Sequence, residues 1–572
     1  MFRRRLTGVS FLVLVLLAGC NSEPPVEVVA PDTATSAPGS EQPLFEGLGP
    51  VNLTITTSSQ EAQAYFNQGL ALAWAFNHAA ADLAFNEAAR FDPDCAMCYW
   101  GSAMVLGPNL NMPMVPYNNA RARKLTDMAL ARLDGVSALE RGLIEAMDVR
   151  YAAEPPEDRT PLDEAYADAM RALFKAYPED ANVAALTSEA LMDLHPWEFW
   201  EKDGTERPWT REVTDTIEHA LALDENHIGA IHLYIHAVEA SNTAHRAEPY
   251  ADKLADLSPN AGHLVHMPAH IYIRVGRYHD STINNMKATD ADEWFVGACK
   301  TDSAIYLGGY IPHNWHFGAI TAAIEGWQVK ASELAEGTRA QITPQMLENP
   351  GFTGSSQNYY MMPVAVNVRF RNWDAIMAEP QPAADLAYAN LLWHYARGRA
   401  LVGQGDLEQA QAELAAVRAL GESEQLAGVG RVGRATVTSL LSIASGSLGG
   451  EIAAAQGDYA GAIEQFAAAV AVEDSLPYSE PPTWFHAVRH QLGAAQLAAG
   501  EILAAEETYR DDLAIWPENG WALAGLQEAL VRQARAEEAA AVGKRFETAW
   551  QHADTVVSIE TGRRDAQVAL TR

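Results

Sequence analysis

From about residue 60 to residue 550 apolar positions recur three and four apart in long runs rich in Ala, Leu and Glu. That spacing places them on one face of a helix. Alternating strand patterns are scarce, so the periodicity predicts an all-α chain. Turn residues cut the runs into hairpin-sized units, and internal comparison gives a period of about 34 residues. Phe85-Asn-Glu-Ala88-Ala-Arg-Phe-Asp-Pro93 closes one unit, and Val275-Gly276-Arg277-Tyr278 makes the mid-unit turn of another. Ala499-Gly500 with Ala505, Tyr509 and Trp516-Pro517 supplies the second half of a third.

These units resemble the tetratricopeptide repeat (TPR). With the turn glycine at repeat position 15, units begin near Ala62, Ile228, Gly262, Leu391, Ile443 and His486. Position 8 then holds Gly69, Ala269, Gly398, Gly450 and Gly493, and position 20 holds Ala81, Ala247, Ala410, Ala462 and Ala505. Small residues suit positions where two helices cross closely. The match recurs from Ala62 to Trp550 and weakens around 105–160, 195–215 and 295–355. The Pro- and Gly-rich stretch 343–356 reads as a linker between an N-terminal array over 51–342 and a C-terminal array over 357–572. The expected fold is an all-α, TPR-type solenoid of helical hairpins in two arrays with loop insertions.

Ahead of the repeats, residues 1–20 join Arg3-Arg4-Arg5 to an apolar run and then to small residues, the form of a secretory signal. Leu17-Ala18-Gly19-Cys20 resembles the bacterial lipobox, which implies lipidation at Cys20 and a lipid anchor as the only membrane contact. Residues 21–50, rich in Pro, Ser, Thr, Glu and Gly, read as a disordered tether. The expected location is the cell envelope, with the outer membrane favoured by Asn21.

Charge narrows the partners. A formal net charge of -34 removes the electrostatic footprint of a nucleic-acid binder. Besides Cys20 there are Cys95, Cys98 and Cys299. The Cys95-x2-Cys98 pair could oxidise outside the cytosol, but a bridge within one helical turn is strained, so the pair reads as two buried small residues.

Candidate chemistry lies in the histidines. Nine of the 17 fall between Ile231 and Phe317, and seven form the clusters His232-x3-His236, His263-x2-His266-x3-His270 and His313-x2-His316. Each spacing puts a cluster on one helix face. The resemblance implies that repeat positions 2, 5, 9 and 12 or 13 line the concave groove. That numbering sends all seven, with Glu239 and Arg274, into one groove. Neutral imidazoles at helical spacing are good ligands for transition metals. A lone helical histidine is ordinarily a surface or core residue, and the coincidence of register across three units is what favours a metal site.

Seven imidazoles and one carboxylate exceed the three or four ligands of a single zinc site, which predicts two ions or some unused rings. By ligand type alone the pairs resemble the dicopper centres of tyrosinases and haemocyanins, whose fold does not match. Glu239 with two histidines would instead make the 2-His-1-carboxylate face of a nonheme iron oxygenase. Copper and iron therefore stand level, and zinc trails. Met267, Met361 and Met362 would suit Cu(I), although methionine is also ordinary core filler.

Two irregular segments, Gly107–Pro116 and Trp294–Ile311, interrupt the array beside the histidines, where insertions tend to be functional loops. Tyr234, Tyr272, Tyr306, Tyr310 and Trp315 lie close in sequence, and packing is their ordinary role. Residues 477–490 read as a cap on the C-terminal array, and His490 would join the groove if the superhelix closed on itself. Phosphate-binding, dinucleotide, nucleophile-elbow and CxxCH patterns are absent from the sequence. The functional expectation is a metal-dependent oxidoreductase acting on a small organic molecule in the groove. The alternatives are a metal-handling lipoprotein without turnover, and a scaffold that captures a peptide or protein partner.

Overall fold

The computed structural model describes residues 42–299, 305–349 and 351–559, with two-residue strands at Ala34–Thr35 and Val568–Ala569. The signal segment with Cys20 lies outside the described residues. Among those residues helix pairs succeed one another from Gln60–Trp74 with His78–Phe91 to Gly520–Arg532 with Ala536–Ala549. Strands are two-residue pieces only. The expected all-α solenoid is the observed architecture.

The small positions explain the hairpin geometry. A Cβ on Gly69 would lie 2.7 Å from the Phe85 ring, and one on Gly493 would lie 2.5 Å from Tyr509. Ala81, Ala247, Ala410, Ala462 and Ala505 are fully buried opposite them. The turn glycines Gly276, Gly326, Gly405, Gly457 and Gly500 take φ of 79° to 85°, the left-handed region that a side chain disfavours. Helices Asn119–Leu130, Ala138–Arg150 and Thr160–Ala176 continue the array through the stretch where the repeat pattern weakens. Hairpin packing requires an apolar face rather than the full repeat consensus.

Three boundaries differ from expectation. Residues 42–50, expected in the tether, belong to the folded body: Tyr65 donates to the Gln42 carbonyl at 2.7 Å, and Phe45 N–H donates to Gln68 Oε1 at 2.7 Å. Leu48 is buried, and the Phe45 ring meets Trp294 and Phe295 at 5.5 and 5.2 Å. Residues 343–356 contain the helix Pro344–Glu348 and the start of Thr353–Tyr360. The apolar core changes earlier, since one body of buried side chains runs from Leu48 to Cys299 and the next from Ala319 to Ala495.

Cys95 and Cys98 form a disulfide. The objection from helix geometry fails because Cys95 is the N-cap of Ala96–Met104, with an extended backbone at φ -67° and ψ 101°. Its Cα stands 5.5 Å from that of Cys98, inside the usual disulfide range.

The array also closes on its own middle. Gly229 lies so near Trp74 that a Cβ there would be 2.2 Å from the indole, which sets the first hairpin against helix Ile228–Val238. From the other end, Tyr278 donates to the Pro517 carbonyl at 2.8 Å and Trp521 donates to the Ala323 carbonyl at 3.1 Å. The histidine-bearing helices are therefore enclosed from both sides, not laid along an open groove.

Candidate metal centre

Three stretches carry the histidines: Ile228–Val238, the pair Gly262–His266 and Pro268–Val275, and Ile311–Ile324. Pro268 sits at the first position of its helix, where its missing N–H costs least. Met267 keeps helical angles of φ -51° and ψ -38°, so His263, His266 and His270 share one face across the junction. The three stretches meet where the first core gives way to the second. His232 and His266 are 0% exposed, and His263, His236 and His270 are 2%, 3% and 4% exposed.

The rings sort into two triads. The donor atoms of His232, His236 and His263 lie within 4.8 Å of one another, and the same holds for His266, His270 and His313. Nitrogens around an ion at about 2.0–2.1 Å stand roughly 3.3 Å apart, so modest ring rotation closes each set. The triads adjoin, with the His236 and His270 rings 5.7 Å apart and His263 and His266 5.9 Å apart. His316 joins neither: its ring faces Tyr359 at 5.1 Å, and its Nδ1 is buried without a partner.

Hydrogen bonding fixes which nitrogen faces inward. His232 Nδ1 meets the Trp74 carbonyl at 2.6 Å, His236 Nδ1 meets Glu239 Oε1 at 2.7 Å, and His270 Nδ1 meets Glu239 Oε2 at 2.6 Å. His266 Nδ1 meets Asn285 Oδ1 at 2.6 Å, and Asn285 Nδ2 donates to the Ser281 carbonyl at 2.8 Å, which settles the amide orientation. Each Nδ1 therefore carries the proton, and Nε2 presents a lone pair. The Nε2 atoms of His232 and His236 are buried without partners. Those of His266 and His270 face each other at 2.9 Å, a contact between two acceptors that requires a proton or a cation.

Electrostatics disfavours protonation of His232, His236, His263, His266 and His313. Burial, reinforced by neighbouring imidazoles, holds His232, His263, His266 and His313 well below the ordinary imidazole value. Burial lowers His236 as well, against the pull of Glu239. Burial alone would raise Glu239, but His270 and His236 hold it below the usual carboxylate range. Both its oxygens accept imidazole N–H groups, so Glu239 links the triads as the carboxylate behind their ligands. A third donor group, Glu239 with His270 and Glu480, also falls within 4.8 Å. It would need the Nδ1 edge of His270, which Glu239 already holds as a donor.

Four residues at the centre lay outside the sequence pattern. Tyr478 donates to Glu239 at 3.2 Å and to Glu480, whose other oxygen lies 3.6 Å from His270 Nδ1. Tyr478 and Glu480 therefore reach the histidine cluster, while Trp484, Phe485 and Val488 of the same segment pack into the C-terminal core as the expected cap. His490, the expected member from that region, pairs with Asp512 at 3.1 Å. Phe76 lies tilted 4.4 Å from His232 and stacks 5.7 Å from His263, while Trp197 meets His236 at 5.1 Å. Both have positive φ, 52° and 63°, as do Arg371, Glu518 and Ala534 at turns away from the histidines. Phe76 occupies position 15 of the first unit, where four of the other units use glycine and the unit beginning at Ile228 has Asn242.

Of the neighbouring aromatics, Tyr310 lies 4.5 Å from His263 and accepts from Asn111 Nδ2 at 3.1 Å, which brings both irregular loops to the first triad. Tyr234 and Tyr272 turn their hydroxyls to Glu218 and Asp252. Met267, Met361 and Met362 are packed in the apolar cores.

No protein-family model and no curated protein matches the chain. Among solved structures, it is similar to the human IFIT1 dimer with m7Gppp-AAAA at 12% identity and a TM-score of 0.29, covering 86% of this chain and 91% of that one. The APC/C hetero-tetramer Cut9-Hcn1 follows at 13% and 0.30, covering 83% and 78%. Yeast Tom70 gives 12% and 0.28, covering 86% and 93%. At these scores the likeness carries no argument about function, and the fold class rests on the helices themselves.

Proposed function

We propose that the protein is a TPR-type metalloprotein whose enclosed centre binds two transition-metal ions, one in each histidine triad, for redox chemistry on a small organic molecule. The observation that carries this reading is the arrangement of four histidines with Nδ1 bound to an acceptor and Nε2 turned toward the other rings. Ligating histidines show that arrangement, and histidines retained for packing alone have no need of it. With Glu239 occupied by two N–H groups, the 2-His-1-carboxylate set for iron loses its carboxylate. Two adjacent all-imidazole triads favour copper, which cycles between Cu(I) and Cu(II) when bound.

Export to the cell envelope on a lipid anchor at Cys20 belongs to the same proposal. The Cys95–Cys98 disulfide supports it, because such bridges persist in oxidising compartments. A metal carrier without turnover is the second reading, favoured by the burial of the whole first triad. Copper-loaded protein that consumes oxygen with small phenols or amines, and loses that activity in His266→Ala, is the expected result. Metal bound with no oxygen consumption selects the carrier. Less than about a tenth of an equivalent of Cu, Fe and Zn after reconstitution ends both.

A further inference from the structure

The helix Tyr278–Ala298 packs behind the histidine-bearing helices, and Ser281, Asn285, Ala288 and Asp292 share one of its faces. Asn285 holds His266 Nδ1, and Asp292 lies two turns further along. Asp292 is buried and uses both oxygens: Tyr306 O–H donates to Oδ1 at 2.6 Å, and Asn314 Nδ2 donates to Oδ2 at 2.7 Å. Tyr306 in turn accepts the backbone N–H of His263. Ala261, the cap of that helix, offers no side-chain acceptor, so Tyr306 takes a donor that the helix start leaves open. Gly262 makes room for the carboxylate, since a Cβ there would stand 1.9 Å from Asp292 Oδ1. Asn314 follows His313 directly, in the first turn of Ile311–Ile324. One buried carboxylate thus ties together the starts of two ligand helices.

The two ligands reached in this way are the ones whose rings nothing holds. His263 has both ring nitrogens buried without a partner, and the His313 ring makes no hydrogen bond among the described residues. The other four rings are fixed through Nδ1, so His263 and His313 owe their placement to the backbone that carries them. We infer that Asp292 is a positioning residue for both triads, setting His263 through Tyr306 and His313 through Asn314. Glu239 acts on His236 and His270 at the ring, and Asp292 acts on His263 and His313 at the backbone. Packing alone does not call for this carboxylate: among the described residues it has no cation beside it, and an unpaired buried charge costs stability. Burial pushes Asp292 up to about 7, against the hydrogen bonds from Tyr306 and Asn314. Its part in metal binding rests on the reading of the triads as copper sites, and its part in placing the two rings does not.

The test uses the full chain at about pH 8, with carbon-13 at the histidine Cε1 atoms and ring signals assigned from His263→Gln and His313→Gln. In the metal-free chain Asp292→Asn leaves one oxygen for two donors, so the His263 and His313 signals are expected to shift or broaden while that of His232 stays in place. Tyr306→Phe removes one arm and should move His263 without His313, which keeps the test open even if Asp292→Asn does not fold. Asp292→Asn combined with Asn314→Asp exchanges donor and acceptor across the same pair of atoms and should return both signals. In the copper-loaded chain, chelator competition should show both sites weakened about tenfold by Asp292→Asn and recovered in the double variant. Ring signals unmoved in Asp292→Asn and Tyr306→Phe, or not restored in the double variant, overturn the inference. Copper affinity unchanged while both rings are displaced overturns its metal-binding part. Rings that respond in a chain that takes up no copper support the positioning role and end the copper reading instead.

Discussion

The two histidine triads are built alike and situated differently. In each, a neighbouring carbonyl, amide or carboxylate oxygen holds Nδ1 of two of the three rings and leaves their Nε2 for an ion. The first triad is sealed: its three rings are buried under Phe76 and Trp197, and its hydrogen-bond partners are the Trp74 carbonyl and Glu239. The second has a partly exposed member, His313, and lies beside Tyr478 and Glu480. Similar donors in unlike surroundings separate two tasks. A dry site retains an ion, and a site with an exposed ligand and acidic neighbours admits a substrate.

The sharpest way to break this comparison is to remove one ligand from each triad. His263→Ala and His313→Ala should each lower bound copper from two equivalents to one by elemental analysis, and only His313→Ala should leave an ion resistant to rapid chelation. Equal chelation rates in both variants would erase the distinction. Glu239→Gln comes next, because that carboxylate orients His236 in one triad and His270 in the other. Copper affinity of both sites should fall about 10- to 100-fold. A loss confined to one site would show that Glu239 does not couple them.

The effect that needs no metal is on the stability of the fold itself. His232, His263, His266 and His313 are held neutral by burial, so below about pH 6.5 the unfolded chain binds protons that the folded chain refuses. Stability is therefore full above that pH and declines as pH falls, by up to about 1.4 kcal/mol per histidine for each pH unit. Urea unfolding at pH 7.5 and 5.5 measures it, and an unchanged midpoint would contradict the burial of the set.

Much of this was legible in the chain. The i, i+3 and i, i+4 spacings placed His232, His236, His263, His266 and His270 on helix faces, and the repeat register aimed them at one centre. His316 shared the spacing but not the meeting point, since a register gives direction and not reach. Glu480 and Tyr478 were hidden because residues 477–482 have no helical period and touch Glu239 across 239 positions. The Nδ1 acceptors were equally hidden: Trp74 contributes a backbone carbonyl, which every residue possesses. Phe76 was hidden too, because other interhelix turns, at Asn242 and Ala534, also depart from glycine. The disulfide was misread because Cys95 was counted inside the helix it begins.

The account rests on two ions in two triads, and anomalous scattering at the copper edge from crystals of copper-loaded protein tests that most directly. It predicts two peaks, one among His232, His236 and His263 and one among His266, His270 and His313. A single peak between Glu239, His270 and Glu480, or no peak at the histidines, would contradict it.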